Sequence, residues 1–374
     1  MPLTLPLQPK AFGTIRHVFD SSLKATLGQP NELGLRSVRS AVVVLVDGLG
    51  IEQIQQRAGH APFIASHINK STITHCVFPA TTSANIGSFA TGLMPGEHGL
   101  IGHLVWDKHH DERMNLLVGW NERTDPLEWQ PHQTVAEKAS SQSMPAFVIA
   151  AGEYRDTPYT KATMRGATFV SAESWEERFQ KATELLRSKD QSLTYLYIPE
   201  LDKYGHKNGW TSSGYATMLE DLDATFRSFV PKLPKDVGVI LTADHGMVET
   251  TKDRQLILDT ELERGGHLEF YGGDTRAGFV YLDDPSSIDE VVENLEPYSY
   301  AFDMVSVSEA VTAGLFGEIG YEAKNRLPDL MLLAKSNYTL YHSKFFKARS
   351  FEMIAHHGSL TPQETRIPLI RFGF

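Results

Sequence analysis

Apolar positions along the chain fall into two rhythms. From Ser40 the run Ala41-Val42-Val43-Val44-Leu45-Val46 is unbroken and stops at Asp47-Gly48-Leu49-Gly50. A continuous β-branched run bounded by glycine predicts a strand covered on both faces, as in parallel sheets. Ala146 to Ala150, Leu193 to Ile198 and Val237 to Leu241 have the same form. Between these runs the apolar residues recur at helical spacing. Trp175, Phe179, Ala182, Leu185 and Leu186 make one stripe, entered through Ser174 and Glu177 as a capping box. Tyr215, Leu219, Leu222, Phe226 and Phe229 make a second. Strands alternating with helices predict an α/β fold around a mainly parallel sheet.

From about residue 249 to 341 the rhythm breaks. This stretch holds Gly265-Gly266 and Gly272-Gly273, a strand expected at Phe279 to Leu282 and a helix near Ser287 to Leu295. It reads as an insertion or small subdomain covering one end of the sheet, within a single domain formed by the 374 residues. The chain carries no internal repeat, low-complexity tract or long linker.

The chemistry follows the strands. The first ends at Asp47, the third runs into Glu200-Leu201-Asp202-Lys203-Tyr204-Gly205-His206, and the fourth leads through Thr242-Ala243 into Asp244-His245-Gly246. In open α/β sheets the reactive crevice lies beyond the carboxyl ends of the strands, so three strands deliver acidic or imidazole groups to one rim. Each piece also has a plainer reading. Asp47 alone is a turn or cap residue. Asp202 and His206 form a solvated i,i+4 pair. Asp244-His245 is a capped helix start followed by a surface histidine. Adjacent side chains in an extended segment diverge, so Asp244 and His245 reach one ion only if the backbone is irregular there. As a set, carboxylates mixed with imidazoles suit zinc better than magnesium or calcium.

A candidate nucleophile lies between the first and second strands. Phe78-Pro79-Ala80-Thr81-Thr82-Ser83-Ala84-Asn85 leads through Ile86, Phe89 and Ala90 to Thr91-Gly92, which predicts a helix stopped by Gly92. A hydroxyl at that helix N-terminus meets unpaired N–H groups and the positive end of the dipole, a favourable place for phosphate. The alternative is an N-cap threonine with no catalytic duty. A threonine hydroxyl becomes nucleophilic when a coordinating metal removes its proton.

Asp47-Gly48-Leu49-Gly50, Phe78-Pro79 with Thr82 and Asn85, and Thr91-Gly92-Leu93-x-Pro95-x-x-His98-Gly99 resemble the nucleotide pyrophosphatase/phosphodiesterase branch of the alkaline phosphatase superfamily. Asp202-x-x-x-His206, Asp244-His245-Gly246 and His357-Gly358 continue the pattern. The resemblance implies an alkaline-phosphatase-like three-layer α/β sandwich with a central, mainly parallel sheet. It implies a hydrolase that cleaves phosphodiester or pyrophosphate bonds through a phospho-threonine, with a small-molecule phosphate ester as substrate. It further implies two zinc ions, or other divalent transition metals. Asp47, Asp244 and His245 would hold one, with Thr82 as its remaining ligand and the nucleophile. Asp202, His206 and His357 would hold the second, His357 being preferred to His356 because Gly358 follows it. Asn85 would donate to a non-bridging phosphate oxygen.

The chain departs from relatives that cleave nucleotides, which carry an aromatic residue and then proline after the nucleophile; here those positions are Ser83 and Ala84. Trp106, Trp120, Tyr154, Tyr159 and Tyr204 are the candidates for a replacement stacking surface. No arginine near the motifs marks a monoester pocket, which leans toward diesters. A monoesterase, phosphonate hydrolase or phosphomutase of the same superfamily is the enzymatic alternative. A binding module that kept the fold without the chemistry is the other. A sulfatase is disfavoured, because Cys76 is followed by Val77-Phe78-Pro79-Ala80. No His-Glu-x-x-His helix suggests a peptidase.

Composition adds a few limits. A composition of 41% hydrophobic and 22% charged residues argues against wholesale disorder. A net charge of −11 argues against binding a nucleic acid duplex, although bound cations can reverse the sign at a phosphate site. Cys76, the single cysteine, rules out an internal disulfide. Met1 to Pro30 has no signal-like apolar run and no segment approaches a membrane span, so a cytoplasmic protein without a membrane partner is expected.

Overall fold

A computed structural model describes residues 13–188 and 190–374. The first twelve residues of the stretch read above for a signal sequence lie outside the described residues. Among the described residues, no helix is long and apolar enough to cross a membrane.

The unbroken apolar runs are the centre of the fold. Strands β1 (Ser40–Val46), β2 (Ile73–His75), β5 (Ala146–Ala150), β6 (Ala167–Ser171), β7 (Ser192–Ile198), β8 (Val237–Thr242) and β13 (Arg366–Phe372) form one seven-stranded sheet. Its order is β2-β13-β8-β1-β7-β5-β6, and only β13 runs against its neighbours. All seven residues of β1 are buried, so both faces of the sheet are covered, giving three layers.

The helical stripes appear as expected. Helices α1 (Thr82–Thr91), α2 (Pro158–Thr163), α3 (Trp175–Leu186), α4 (Glu200–Asn208) and α5 (Ser213–Phe229) include those that carry or flank the site. Only half of the expected capping box forms at α3. The Ser174 hydroxyl accepts from the Glu177 N–H, but the Glu177 carboxylate accepts from the Glu173 N–H, one residue further back than the box requires.

The region from 249 to 341 contributes four strands to a second sheet, with one addition that the sequence pattern did not suggest. A six-stranded antiparallel sheet joins β9 (Leu268–Gly273), β10 (Ala277–Leu282), β11 (Phe302–Ser306) and β12 (Leu330–Ala334) to β3 (Leu104–Asp107) and β4 (Glu112–Asn115). The last two come from before that region. Period-two alternation divides the sheet between two cores. Phe279, Tyr281, Met331 and Leu333 belong to the main core, whereas Val280, Leu282, Leu330 and Leu332 belong to a second cluster. That second cluster includes Val291 and Leu295 of helix α6 (Ile288–Leu295).

Register aligns the strand ends. Leu45 pairs with Thr242 and Val46 with Ile198, and the Asp47 N–H continues the ladder to the Ile198 carbonyl at 2.9 Å. Asp47, the segment after β7 and the segment after β8 therefore leave the sheet side by side.

Candidate active site

Two triads form at this rim. Asp47, Asp244 and His245 make one, and Asp202, His206 and His357 the other; in each, one ligand-type atom per residue lies within 4.8 Å of the others. Asp202 and His206 occupy one face of α4, with Oδ2 and Nε2 3.3 Å apart, so this i,i+4 pair is largely buried rather than solvated. The segment after β8 is not a helix start. It bends at Asp244, whose Oδ1 accepts from the N–H groups of His245 (3.0 Å) and Gly48 (3.2 Å), and this irregular backbone lets adjacent side chains join one cluster. Gly48 has a φ of +71°, and a Cβ there would come within 3.0 Å of Asp202 Oδ1. Glycine thus allows both the turn after β1 and the close approach of the two triads.

The imidazoles are fixed in one orientation. Nδ1 of His206 faces the Ala355 carbonyl (2.7 Å), Nδ1 of His357 the Ala80 carbonyl (2.8 Å) and Nδ1 of His245 the Gly246 carbonyl (3.2 Å). A nitrogen facing a carbonyl donates, so in the neutral ring Nε2 carries the lone pair. These Nε2 atoms point inward, those of His206 and His357 lying 3.3 Å apart. His356 is turned away: its Nδ1 meets the Thr275 hydroxyl (2.9 Å) and its Nε2 the Met353 carbonyl (3.1 Å).

Electrostatics reflect this crowding. Burial, with the charges of Asp244 and Asp202, raises the Asp47 carboxyl well above its usual range. Burial and Asp202 push Asp244 up to about 7. Burial opposes the charge of Asp202 as well, but His206 alongside holds that carboxyl below its usual range. His206 is correspondingly raised to about 9, its burial outweighed by Asp202. Burial lowers His245 to about 4 and, together with the charge of His245, lowers His357 to about 3. Oδ1 of Asp47, Oδ1 of Asp202 and Oδ2 of Asp244 are buried without a hydrogen-bond partner among the described residues. Orphaned carboxylate oxygens beside inward Nε2 lone pairs are what a divalent transition metal satisfies, so the residues present fit such ions.

Thr82 stands at this centre, its Oγ1 3.1 Å from His245 Nε2. It is the first residue of α1. Thr81 holds the N-cap position without a side-chain capping bond, so neither threonine serves as a capping acceptor. The first-turn N–H groups therefore remain for an anion.

Asn85 departs from its expected role. It is fully buried, accepts from the Val77 N–H (2.7 Å), and donates to the carbonyls of Pro79 and Thr81 (both 3.0 Å). Its amide braces the loop that presents Thr82 and has no group left for a phosphate. The cause is helical phase: Asn85 lies one turn beyond Thr81, on the loop side of α1.

The site opens into a cavity of about 530 Å³. Of the stacking candidates, Tyr154 and Tyr159 line it, whereas Trp106, Trp120 and Tyr204 do not. Sequence reading missed several other lining residues. Tyr197 donates to Asp47 Oδ2 at 2.5 Å; strand alternation could have put it on the face of β7 toward the site, but not beside Asp47. His103 follows the Gly99 motif and pairs through Nε2 with the Asn115 amide (2.9 Å). Asp274, in the turn between β9 and β10, keeps a buried unpartnered Oδ2. No sequence signal marks either of these two, because the second sheet brings them there.

Residues 41–360 match the family described as type I phosphodiesterase / nucleotide pyrophosphatase. The chain belongs to that family. Ectonucleotide pyrophosphatase/phosphodiesterase 2 of Saccharomyces cerevisiae is 25% identical over 237 residues, covering 55% of this chain and 47% of the yeast protein. A bis(5'-adenosyl)-triphosphatase of Mus musculus is 25% identical over 281 residues, covering 72% and 58%. The chain thus spans about half the length of these curated relatives. Murine ectonucleotide pyrophosphatase/phosphodiesterase 5 shares the fold, with a TM-score of 0.70, 19% identity and coverage of 89% of this chain and 88% of the murine one. The family's nucleotide pyrophosphatase/phosphodiesterase branch and the alkaline-phosphatase-like sandwich are those expected from the motifs.

Proposed function

We propose that this chain is a two-zinc phosphodiesterase that works through a covalent phospho-threonine at Thr82. The observation that carries the reading is the Thr82 hydroxyl at an uncapped helix N-terminus, 3.1 Å from an imidazole of the Asp47–Asp244–His245 triad. Membership of the family supports it. So does murine ectonucleotide pyrophosphatase/phosphodiesterase 5, for which an inactive threonine-to-alanine variant is known in complex with AMP.

Asp47, Asp244 and His245 would hold one ion and Asp202, His206 and His357 the other. Bound divalent cations would supply a lowered hydroxyl pKa at Thr82, charge neutralisation at phosphorus and an activated water. The residues themselves perform the rest. The N–H groups at the start of α1 face the non-bridging oxygens and stabilise charge as it develops. Thr82 Oγ1 forms a bond to phosphorus while the bond to the leaving oxygen breaks. The leaving alcohol gains a proton and Thr82 loses one. Water then adds to phosphorus, the Oγ1–phosphorus bond breaks, and Thr82 recovers its proton. Asn85 keeps the Val77–Thr81 loop in shape throughout, and Tyr197 orients Asp47.

Among the described residues no arginine lines the cavity, and its one lysine, Lys203, is paired with Glu153 at 2.8 Å. Beyond the two ions, the additional charge of a dianionic monoester would meet no arginine and no unpaired lysine there, which favours the monoanionic diester. The test is hydrolysis of chromogenic mono- and diesters alongside metal analysis of the purified protein. A diester preference that is lost on chelation and restored by zinc is expected. Full activity after exhaustive chelation, or a monoester preference, would end this reading.

A further inference from the structure

The turn that carries Asp274 is fixed on three sides. Its ends are closed by two backbone bonds, from the Asp274 N–H to the Ala277 carbonyl (2.9 Å) and from the Ala277 N–H back to the Asp274 carbonyl (3.1 Å). Between them, the Thr275 hydroxyl donates to Nδ1 of His356 (2.9 Å), and Arg276 donates to both carboxylate oxygens of Glu364 (2.8 Å each). The Asp274 carboxylate nevertheless makes no hydrogen bond or ion pair among the described residues, and its Oδ2 is buried. A group held this firmly without a partner is preorganised for one that arrives with the substrate.

Its place in the cavity narrows what that partner is. The cavity has an apolar wall at Val148, Met164 and Phe169, whereas Asp274 lines it beside the second triad. A Cβ on Gly358, the residue after His357, would come within 2.9 Å of the Asp274 Cβ. Burial lowers His357 and works against the raised His206, and on both rings the charge of Asp274 acts upward. Neither imidazole can answer that charge once the site is loaded, because Nδ1 of each faces a carbonyl and Nε2 of each faces the ion. Glu153, the other carboxylate outside the triads that lines the cavity, is already paired with Lys203.

Charge balance isolates Asp274 further. Asp47, Asp202, Asp244 and one monoanionic diester together neutralise two divalent ions, so the Asp274 charge is left over. Thr82 Oγ1 belongs to the first triad, and in-line displacement therefore sends the departing oxygen toward the second triad and Asp274. An anionic leaving group such as pyrophosphate would be repelled there, and a neutral alcohol would leave the carboxylate unanswered. A protonated amine meets both the charge and the vacant acceptor.

Resting on the phosphodiesterase reading above, we infer that Asp274 selects the leaving group, and that the preferred substrate is a phosphodiester of a short amino alcohol whose ammonium pairs with this carboxylate. The bond from phosphorus to the amino alcohol oxygen breaks, and that oxygen takes up a proton. Phosphorus keeps its second ester and stays on Thr82 until water releases it.

The test uses the zinc-loaded protein and three methyl phosphodiesters whose second ester is 2-aminoethyl, propyl or 2-carboxyethyl. Phosphorus NMR measures the methyl phosphate released. The 2-aminoethyl ester should exceed the propyl ester in kcat/KM by at least about tenfold, with the 2-carboxyethyl ester lowest. Asp274→Asn, or Asp274→Ser should the first variant not fold, should keep both zinc ions and lower the aminoethyl-to-propyl ratio at least about fivefold. Calorimetry on Thr82→Ala reads binding without turnover. There the 2-aminoethyl ester should bind at least about tenfold more tightly than the propyl ester, and adding Asp274→Asn should remove that margin. If no ester is hydrolysed but the margin and its loss are found, the catalytic reading fails and recognition by Asp274 stands. Equal binding of the aminoethyl and propyl esters, a ratio unmoved by substitution of Asp274, 2-aminoethyl phosphate as the main product, or loss of a zinc ion from the Asp274 variant would overturn the inference.

Discussion

His245 and His357 lie face to face, with ring centroids 3.7 Å apart and planes 18° from parallel. They belong to different triads, so each cluster forms one wall of the other. His245 reaches its place from the bend after β8, and His357 from the loop that enters β13. Their stacking brings the two ends of the site together without any shared ligand.

Removing one of these rings should therefore empty one ion position and leave the other. His357→Ala keeps Asp47, Asp244 and His245 intact, and metal analysis should give one zinc per chain in place of two. Retention of both ions would show that His357 is not a ligand.

Thr82→Ala should keep the fold and both ions but lose at least ~10²-fold in turnover, the scale of deleting one catalytic group. Circular dichroism and metal content check the first part, and the best chromogenic diester the second. Near-normal turnover would refute the nucleophile.

Asn85→Ala should act on stability before catalysis. It strips the loop from Val77 to Thr81 of one acceptor and two donated bonds, which costs about 1–3 kcal/mol in a fully buried position. Urea unfolding measures this. An unchanged midpoint with a large fall in kcat would return Asn85 to the phosphate.

The buried pair Arg276–Glu364 supports the His357 loop. Both residues are fully buried, joined by two bonds of 2.8 Å, and Glu364 Oε1 also accepts from the Ser359 N–H at 2.8 Å. Arg276→Ala leaves a buried carboxylate unpaired and should destabilise by about 3–5 kcal/mol. Adding Glu364→Leu should recover much of that loss. A double variant as unstable as the single one would mean that packing, not charge, sets the cost.

His98 should make the protein acid-sensitive. Its Nδ1 accepts from the Leu100 N–H and its Nε2 donates to Ser88, in full burial. Burial, with the charge of His132, lowers its pKa from 6.5 to about 3. The unfolded chain takes up a proton below 6.5 while the folded one does not, so this contribution is complete above 6.5 and declines as pH falls toward 3. At pH 5 the decline is about 2 kcal/mol. His98→Gln keeps an acceptor for Leu100, and its urea midpoint should fall less between pH 7 and pH 5 than that of the parent chain. Equal falls would assign the acid sensitivity to other groups.

Much of the site is legible in the chain because strand ends concentrate it. Asp47, Asp244 and His245 follow apolar runs directly, and Asp202 with His206 needs only one helical turn more. Asn85 shows what is lost. Its spacing from Thr82 is visible in sequence, but the side of α1 it occupies depends on the loop beneath it. Ser174 and Glu177 likewise carry the right letters for a capping box, and the backbone uses only one half of it. His103, Asp274 and the wall of Val148, Met164 and Phe169 are set by contacts between segments far apart in sequence, which no local pattern encodes.

The second sheet is sewn in twice, by β3 and β4 ahead of β5 and by β9 to β12 after β8. Exchanging either stretch alone would cut the Gly273–Leu104 bridge that joins the two parts. A graft intended to carry a new preference for the departing group must take both stretches, with Gly102 and His103 included, or the loop beside Thr82 will be left facing a foreign edge.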